Sequence, residues 1–173
     1  MAGCGCGLAR SRWTLQRLDS MPAVTVLGVG NPIMADDGIG LELLAAVMAA
    51  RPNVCVEYID GGTGGMELIP VVQDATRLLV LDAVASDRPG RVMVLDGDQL
   101  PRLLSAKLSP HQVGLLDVFT SVRLLGHEPA EVKVVGITPL KVDIALGLSP
   151  VVQDAMPDAV ARACAVIDGW LAR

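Results

Sequence analysis

Hydrophobic positions along this chain fall into short β-branched runs that alternate with longer apolar stretches. Residues 24–29 form a compact run ending in glycines, which predicts a strand buried on both faces. After the loop 30–35, residues 37–50 are almost wholly apolar and long enough for a helix, closed by Pro52. Residues 54–59 predict a second strand that leads into Asp60-Gly61-Gly62-Thr63-Gly64-Gly65, and a short helix is expected over 66–74. Residues 77–84 are the most hydrophobic strand, with Asp82 near its C-terminal end; residues 91–95 predict another after the turn at Pro89-Gly90. Ser109-Pro110-His111-Gln112 carries a full helix-start pattern: a Ser cap, Pro at the first position and Gln three residues after the cap. That helix should run to about Leu125, before Gly126. Residues 131–137 predict the last strand. Ser149-Pro150 opens a C-terminal helix to about Leu171, bent or interrupted at Pro157.

Strands alternating with helices predict an α/β fold: a three-layer sandwich whose mostly parallel, twisted sheet of about five strands lies between helices. There is no internal repeat, low-complexity region or linker. Residues 1–20 stand apart, with three Arg, few acids and no long apolar stretch. They read as a disordered tail before a single domain over 21–173, with Met21 a candidate start.

Composition narrows the class. The 173 residues suit one domain with a substantial core. Half are apolar but only 2% aromatic, so Val, Leu, Ile and Ala must fill that core. This palette suits strands covered on both faces. A net charge of −5 without a basic run argues against nucleic-acid binding. No apolar stretch reaches transmembrane length and no secretory signal is evident, so the expectation is a cytoplasmic monomer with no membrane partner. Cys4, Cys6, Cys55 and Cys164 form neither a Cys-x-x-Cys pair nor a disulfide framework. Cys55, in a predicted strand, and Cys164, in a predicted helix, read as free buried thiols. Cys4-Gly-Cys6 alone offers too few ligands for a good metal site.

In an open parallel sheet, functional groups collect beyond the C-terminal ends of the strands. Asp36 and Asp37 follow the first strand, Asp60 follows the second, and Asp82 ends the third. His111 comes from the first turn of its own helix, where the positive helix end favours the neutral imidazole that a metal binds. Each has a plainer reading. Asp36 or Asp37 could cap the following helix, Asp60 could hydrogen-bond the glycine-rich turn, and His111 could be a capping or surface residue. His127, in Gly126-His127-Glu128-Pro129, reads as a solvated loop residue. Asp82 is harder to explain this way, because an ionised group among Leu79, Val80, Leu81, Ala83 and Val84 needs a partner or a site. Convergence of the set on one sheet edge favours function.

Several chemistries lack their motifs. There is no Gly-x-Ser-x-Gly elbow and no His-Glu-x-x-His helix. Gly28-Val29-Gly30 begins like a dinucleotide fingerprint, but Ile33 stands at the third glycine position. Asn31-Pro32 also keeps a helix from opening where a pyrophosphate would sit.

Four ordered stretches carry a family resemblance. Gly28-Val29-Gly30-Asn31-Pro32-Ile33-Met34-Ala35-Asp36-Asp37-Gly38-Ile39-Gly40 resembles the opening motif of the hydrogenase maturation proteases. Asp60-Gly61-Gly62-Thr63-Gly64-Gly65-Met66-Glu67-Leu68, Leu81-Asp82-Ala83-Val84 and Ser109-Pro110-His111-Gln112-Val113-Gly114-Leu115 resemble the second, third and fourth motifs. The resemblance spans roughly residues 24–171 and implies a phosphorylase/hydrolase-like sandwich. It implies an endopeptidase that cuts a C-terminal extension from a [NiFe] hydrogenase large-subunit precursor once nickel is in place. The family's metal-engaging residues fall on Asp37, Asp82 and His111. Some members have Glu at the first position, so Asp37 is one methylene shorter. Asp60 matches a residue implicated in substrate recognition, with Gly61, Gly62 and Thr63 beside it. No permanent cofactor is expected: the metal would be the precursor's nickel, and two carboxylates with an imidazole suit nickel, zinc or manganese alike. Two rival readings are a non-cleaving module that docks the precursor and, on Gly28 and Gly30 alone, a nucleotide-dependent oxidoreductase.

Overall fold

The computed structural model describes residues 23–99 and 110–173. The expected tail 1–20, the candidate start Met21, the Cys4-Gly-Cys6 pair and the Ser109 cap lie outside them. Among the described residues five strands form one sheet: β1 (Val24–Val29), β2 (Val56–Gly62), β3 (Arg77–Ala83), β4 (Val92–Asp96) and β5 (Glu131–Ile137). Four α-helices accompany them among the described residues: α1 (Ile39–Ala50), α2 (Ile69–Asp74), α3 (Pro110–Leu124) and α4 (Pro150–Leu171). The strand order is β2-β1-β3-β5-β4, parallel except for the edge strand β4, which runs antiparallel to β5. This is the expected α/β sandwich.

Strand alternation divides the core into two layers. On one face Val24, Val26, Leu79, Leu81, Val135 and Ile137 meet α1 and α4, through residues such as Leu43, Val47, Ile167 and Trp170. On the other face Leu27, Val29, Leu78, Val80 and Val134 meet α2 and α3, through Val72, Leu115, Val118 and Val122. With so few aromatics, close backbone approach does much of the packing. A Cβ on Gly40 would lie 2.0 Å from the Val29 carbonyl oxygen and 2.3 Å from that of Leu81. Only glycine lets the first turn of α1 rest directly on the β1–β3 seam.

Three local expectations are corrected. The strand expected from residue 54 begins at Val56, because Asn53 makes a turn: its side chain accepts the Cys55 N–H at 2.8 Å and its carbonyl accepts the Val56 N–H at 3.1 Å. Cys55 therefore lies outside the strand and is exposed, whereas Cys164 is buried as expected. The helices expected from residues 37 and 66 each open with a 3-10 turn, Ala35–Gly38 and Met66–Leu68, before the α-helical part. Of the bend or interruption expected at Pro157, the interruption does not occur: α4 is one helix through Pro157, which is exposed. Its apolar stripe on the core, including Val152, Ala159, Ala163 and Ile167, offsets the missing hydrogen bond. Among the described residues no helix is long and apolar enough to cross a membrane.

Candidate active site

The parallel strands β1, β2 and β3 end on the same side, and the candidate residues follow from there. Gly28 stands between Asp60 of β2 and Leu81 of β3 in the register, so Asp82 lies one residue beyond this row. Alternation sets Asp82 with Leu78 and Val80 on the α2–α3 face. Its carboxylate is 2% exposed, and one oxygen accepts the Ala83 N–H at 2.7 Å. A carboxylate held this deep at a strand end needs partners or a functional reason to be there.

Asp37 lies in the 3-10 turn Ala35–Gly38, is 3% exposed, and belongs to a segment packed against β3. Its backbone is fixed on both sides. Its N–H donates to the Met34 carbonyl at 3.2 Å, and its own carbonyl accepts the Asn31 N–H at 3.2 Å. That carbonyl sits 2.1 Å from where a Cβ on Gly30 would be, and Gly30 has φ +145°. Gly30 thus makes room for the Asp37 backbone itself, not for a pyrophosphate, which removes the structural basis of the nucleotide reading.

His111 occupies the first turn of α3. Position 111 precedes Leu115, Val118 and Val122 at helical spacing, and these three form the buried stripe of α3 over the Asp82 face. The His111 side chain lies outside the described part. Among the described residues no three His, Cys, Asp or Glu side chains form a metal-holding group. Next along α3, a Cβ on Gly114 would come within 3.2 Å of the Gly65 Cα, so the helix start lies against the glycine-rich segment.

Asp60 takes the plainer of its two readings as far as its contacts go. It is exposed, and its side chain accepts the Gly62 N–H at 2.9 Å, bracing a turn in which Gly62 has φ +49°. It stands two strands from Asp82, roughly 10 Å across the sheet, and alternation puts it with Val56 and Tyr58 on the opposite face. Gly61 and Gly62 are half-buried beside it and Thr63 is exposed. Asp60 to Thr63 therefore form a rim flanking the buried acids, not part of the same cluster.

Asp36 is where residue reading fell short. It is 0% exposed and makes no capping hydrogen bond. Instead it reaches the segment between β5 and α4. One oxygen accepts the Ser149 N–H at 2.6 Å. The other accepts the Leu140 N–H at 2.9 Å, the Lys141 N–H at 3.1 Å and the Ser149 hydroxyl at 2.8 Å. Burial acts to raise its pKa, but these donors from Ser149, Lys141 and Leu140 outweigh burial and hold it below the ordinary value. Ser149, placed at the start of α4 as expected, gives its hydroxyl to Asp36 and leaves the helix without a side-chain cap. The one available signal was the Asp36-Asp37 doublet itself, since a single cap needs only one acid.

Two buried acids beyond the C-terminal ends of central parallel strands, with α3 opening at position 111 over the same face, make a candidate hydrolytic site on an α/β sandwich. Comparison with known proteins gives this class a family. The HycI hydrogenase maturation protease family matches residues 41–166. The hydrogenase 2 maturation protease of Escherichia coli (strain K12) is 35% identical over 148 residues, covering 83% of this chain and 90% of that protein. The hydrogenase expression/formation protein HupD of Bradyrhizobium diazoefficiens is 35% identical over 85% of this chain and 79% of its own. The structure of the hydrogenase maturating endopeptidase HybD from E. coli superimposes with a TM-score of 0.77 at 35% identity, covering 84% of this chain and 92% of that one. The chain belongs to the hydrogenase maturation protease family and is an endopeptidase.

Proposed function

We propose that this endopeptidase removes the C-terminal extension of a nickel-loaded [NiFe] hydrogenase large-subunit precursor, engaging the precursor's nickel through Asp37, Asp82 and His111. The observation that carries this reading is Asp82: an ionisable group 2% exposed at the C-terminal end of a central strand. The buried Asp37 turn packed against the same strand, and His111 opening the helix over that face, supply the other two ligands. Two carboxylates and an imidazole suit a borderline divalent ion and leave coordination positions for the precursor's own ligands or water.

Docked in this way, the nickel anchors the extension against the sheet edge, with the rim Asp60, Gly61, Gly62 and Thr63 available to the peptide on its flank. Hydrolysis then adds water to the scissile carbonyl carbon, breaks the C–N bond and delivers a proton to the leaving amine. Engagement of the metal serves this step by fixing the peptide or by polarising its carbonyl and a water. The protein needs no resident cofactor, and it works in the cytoplasm as a monomer on a protein substrate.

The test is processing of nickel-loaded precursor by His111→Ala and Asp82→Asn. Both should lose processing while remaining folded: a first-turn helix position tolerates Ala, and Asn keeps the shape of Asp without its charge. Normal processing by both would sink the mechanism. Tight precursor binding by the wild type with no cleavage would contradict it as well.

A further inference from the structure

We propose that Asp36 is a positioning residue for this reaction: by clamping residues 140–149 it fixes the turn on which Asp37 stands. The inference rests on the reading of Asp37 given above. Asp36 ties together parts of the chain more than a hundred residues apart, through four hydrogen bonds donated by one short segment. A second set of contacts reinforces the clamp on its other side. The Ala35 N–H donates to the Ala145 carbonyl at 2.8 Å, the Ala145 N–H donates to the Ile33 carbonyl at 3.2 Å, and Met34 bridges Ala145.

Between these anchors Ala35 is held at φ +51°, the only non-glycine residue with positive φ among those described. In the left-handed region the Cβ of an L-residue crowds the following carbonyl oxygen, so this backbone is strained. Such strain persists where the surroundings over-determine the backbone, and it concentrates at functional sites. The strained residue and the clamp directly precede Asp37. The segment they grip is otherwise open to solvent, with Ile144 82% and Leu146 84% exposed. It has little buried apolar area to hold it in place, so the polar clamp is its main anchor.

The test is a double-mutant cycle on cleavage of nickel-loaded precursor by the full chain. Asp36→Asn leaves one oxygen for the three donors but turns an N–H₂ toward the Ser149 N–H; Ser149→Ala removes the hydroxyl bond alone. Each is made with Asp37 intact and in the Asp37→Glu background, and cooperative urea unfolding confirms that every variant is folded. With Asp37 intact, Asp36→Asn should lower kcat/KM at least about ten-fold, as a misplaced reacting group does. Ser149→Ala should lower it less. Both losses should change in the Asp37→Glu background, because the longer arm samples a different position from the same backbone. A general loss of structural integrity would instead multiply both backgrounds by the same factor, and that result overturns the proposal. Unchanged kcat/KM in both variants overturns it too. Should Asp36→Asn fail to fold, Ser149→Ala carries the cycle alone. If Asp37→Ala itself cleaves normally, the role of Asp37 falls. If Asp37→Ala is impaired while the cycle is additive, only the role of Asp36 falls.

Discussion

Replacing Gly40 by Ala sets two effects of similar size against each other, and the geometry decides between them. Alanine in a helix is favoured over glycine by about 1 kcal/mol. The new Cβ would, however, lie 2.0 Å and 2.3 Å from two carbonyl oxygens of the sheet. Close carbon–oxygen contacts are about 3.3 Å, so α1 must back away by roughly an ångström. Neither neighbour is a flexible side chain that can swing aside. Overpacking of this kind costs about 1–3 kcal/mol, here at the upper end because Leu43 and Val47 lose their fit as well. The net expectation is destabilisation by about 2 kcal/mol, or roughly 4–8 °C in Tm for a domain of this size. Gly169→Ala is the control. It is also helical, but it has no atom within 4 Å of its Cβ position, so it should gain about 0.5–1 kcal/mol. Urea unfolding of the two variants and the wild type reads both signs. Gly40→Ala at or above wild-type stability would refute the packing of α1 on the β1–β3 seam.

Pro157→Ala should stabilise the protein by about 2 kcal/mol, since it restores an interior helix hydrogen bond at an exposed position; a lower urea midpoint would contradict this. The depressed pKa of Asp36 means that the folded protein takes up its proton less readily than the unfolded chain does. Its stabilisation is therefore present above the unfolded value of 3.8 and is lost as pH falls through the lower folded value. Urea midpoints across acid pH should fall more steeply for the wild type than for Asp36→Asn, and parallel curves would count against it. Calorimetry with NAD, NADP and ATP should show no saturable binding, because Gly30 accommodates the Asp37 carbonyl where a phosphate loop would leave space; a stoichiometric isotherm would reopen the cofactor reading.

The elements most legible in the sequence were those whose pattern owes nothing to distant partners. Residues 24–29 and 131–137 are strands with the expected bounds, because continuous β-branched runs have one favourable state in a covered parallel sheet. Asp82 was legible for the same reason, as a charge inside such a run. What stayed hidden depends on contacts distant in sequence or on turn chemistry. Asn53 delays β2 by a local side-chain bond that hydrophobicity does not register. The partners of Asp36 lie 104 to 113 residues away, in a segment with neither helical nor strand period. Pro157 looked like a break because local propensity disfavours it, while packing of α4 on the sheet decides the outcome.

The proposed function requires the buried acids Asp37 and Asp82 to act on a nickel-bearing protein substrate. Intact-mass spectrometry of the large-subunit precursor tests it most directly, with nickel-loaded and nickel-free precursor incubated in parallel. A single C-terminal cut is expected in the loaded precursor only, by the wild type and not by Asp82→Asn. Equal cleavage of both forms, or wild-type cleavage by Asp82→Asn, would contradict it.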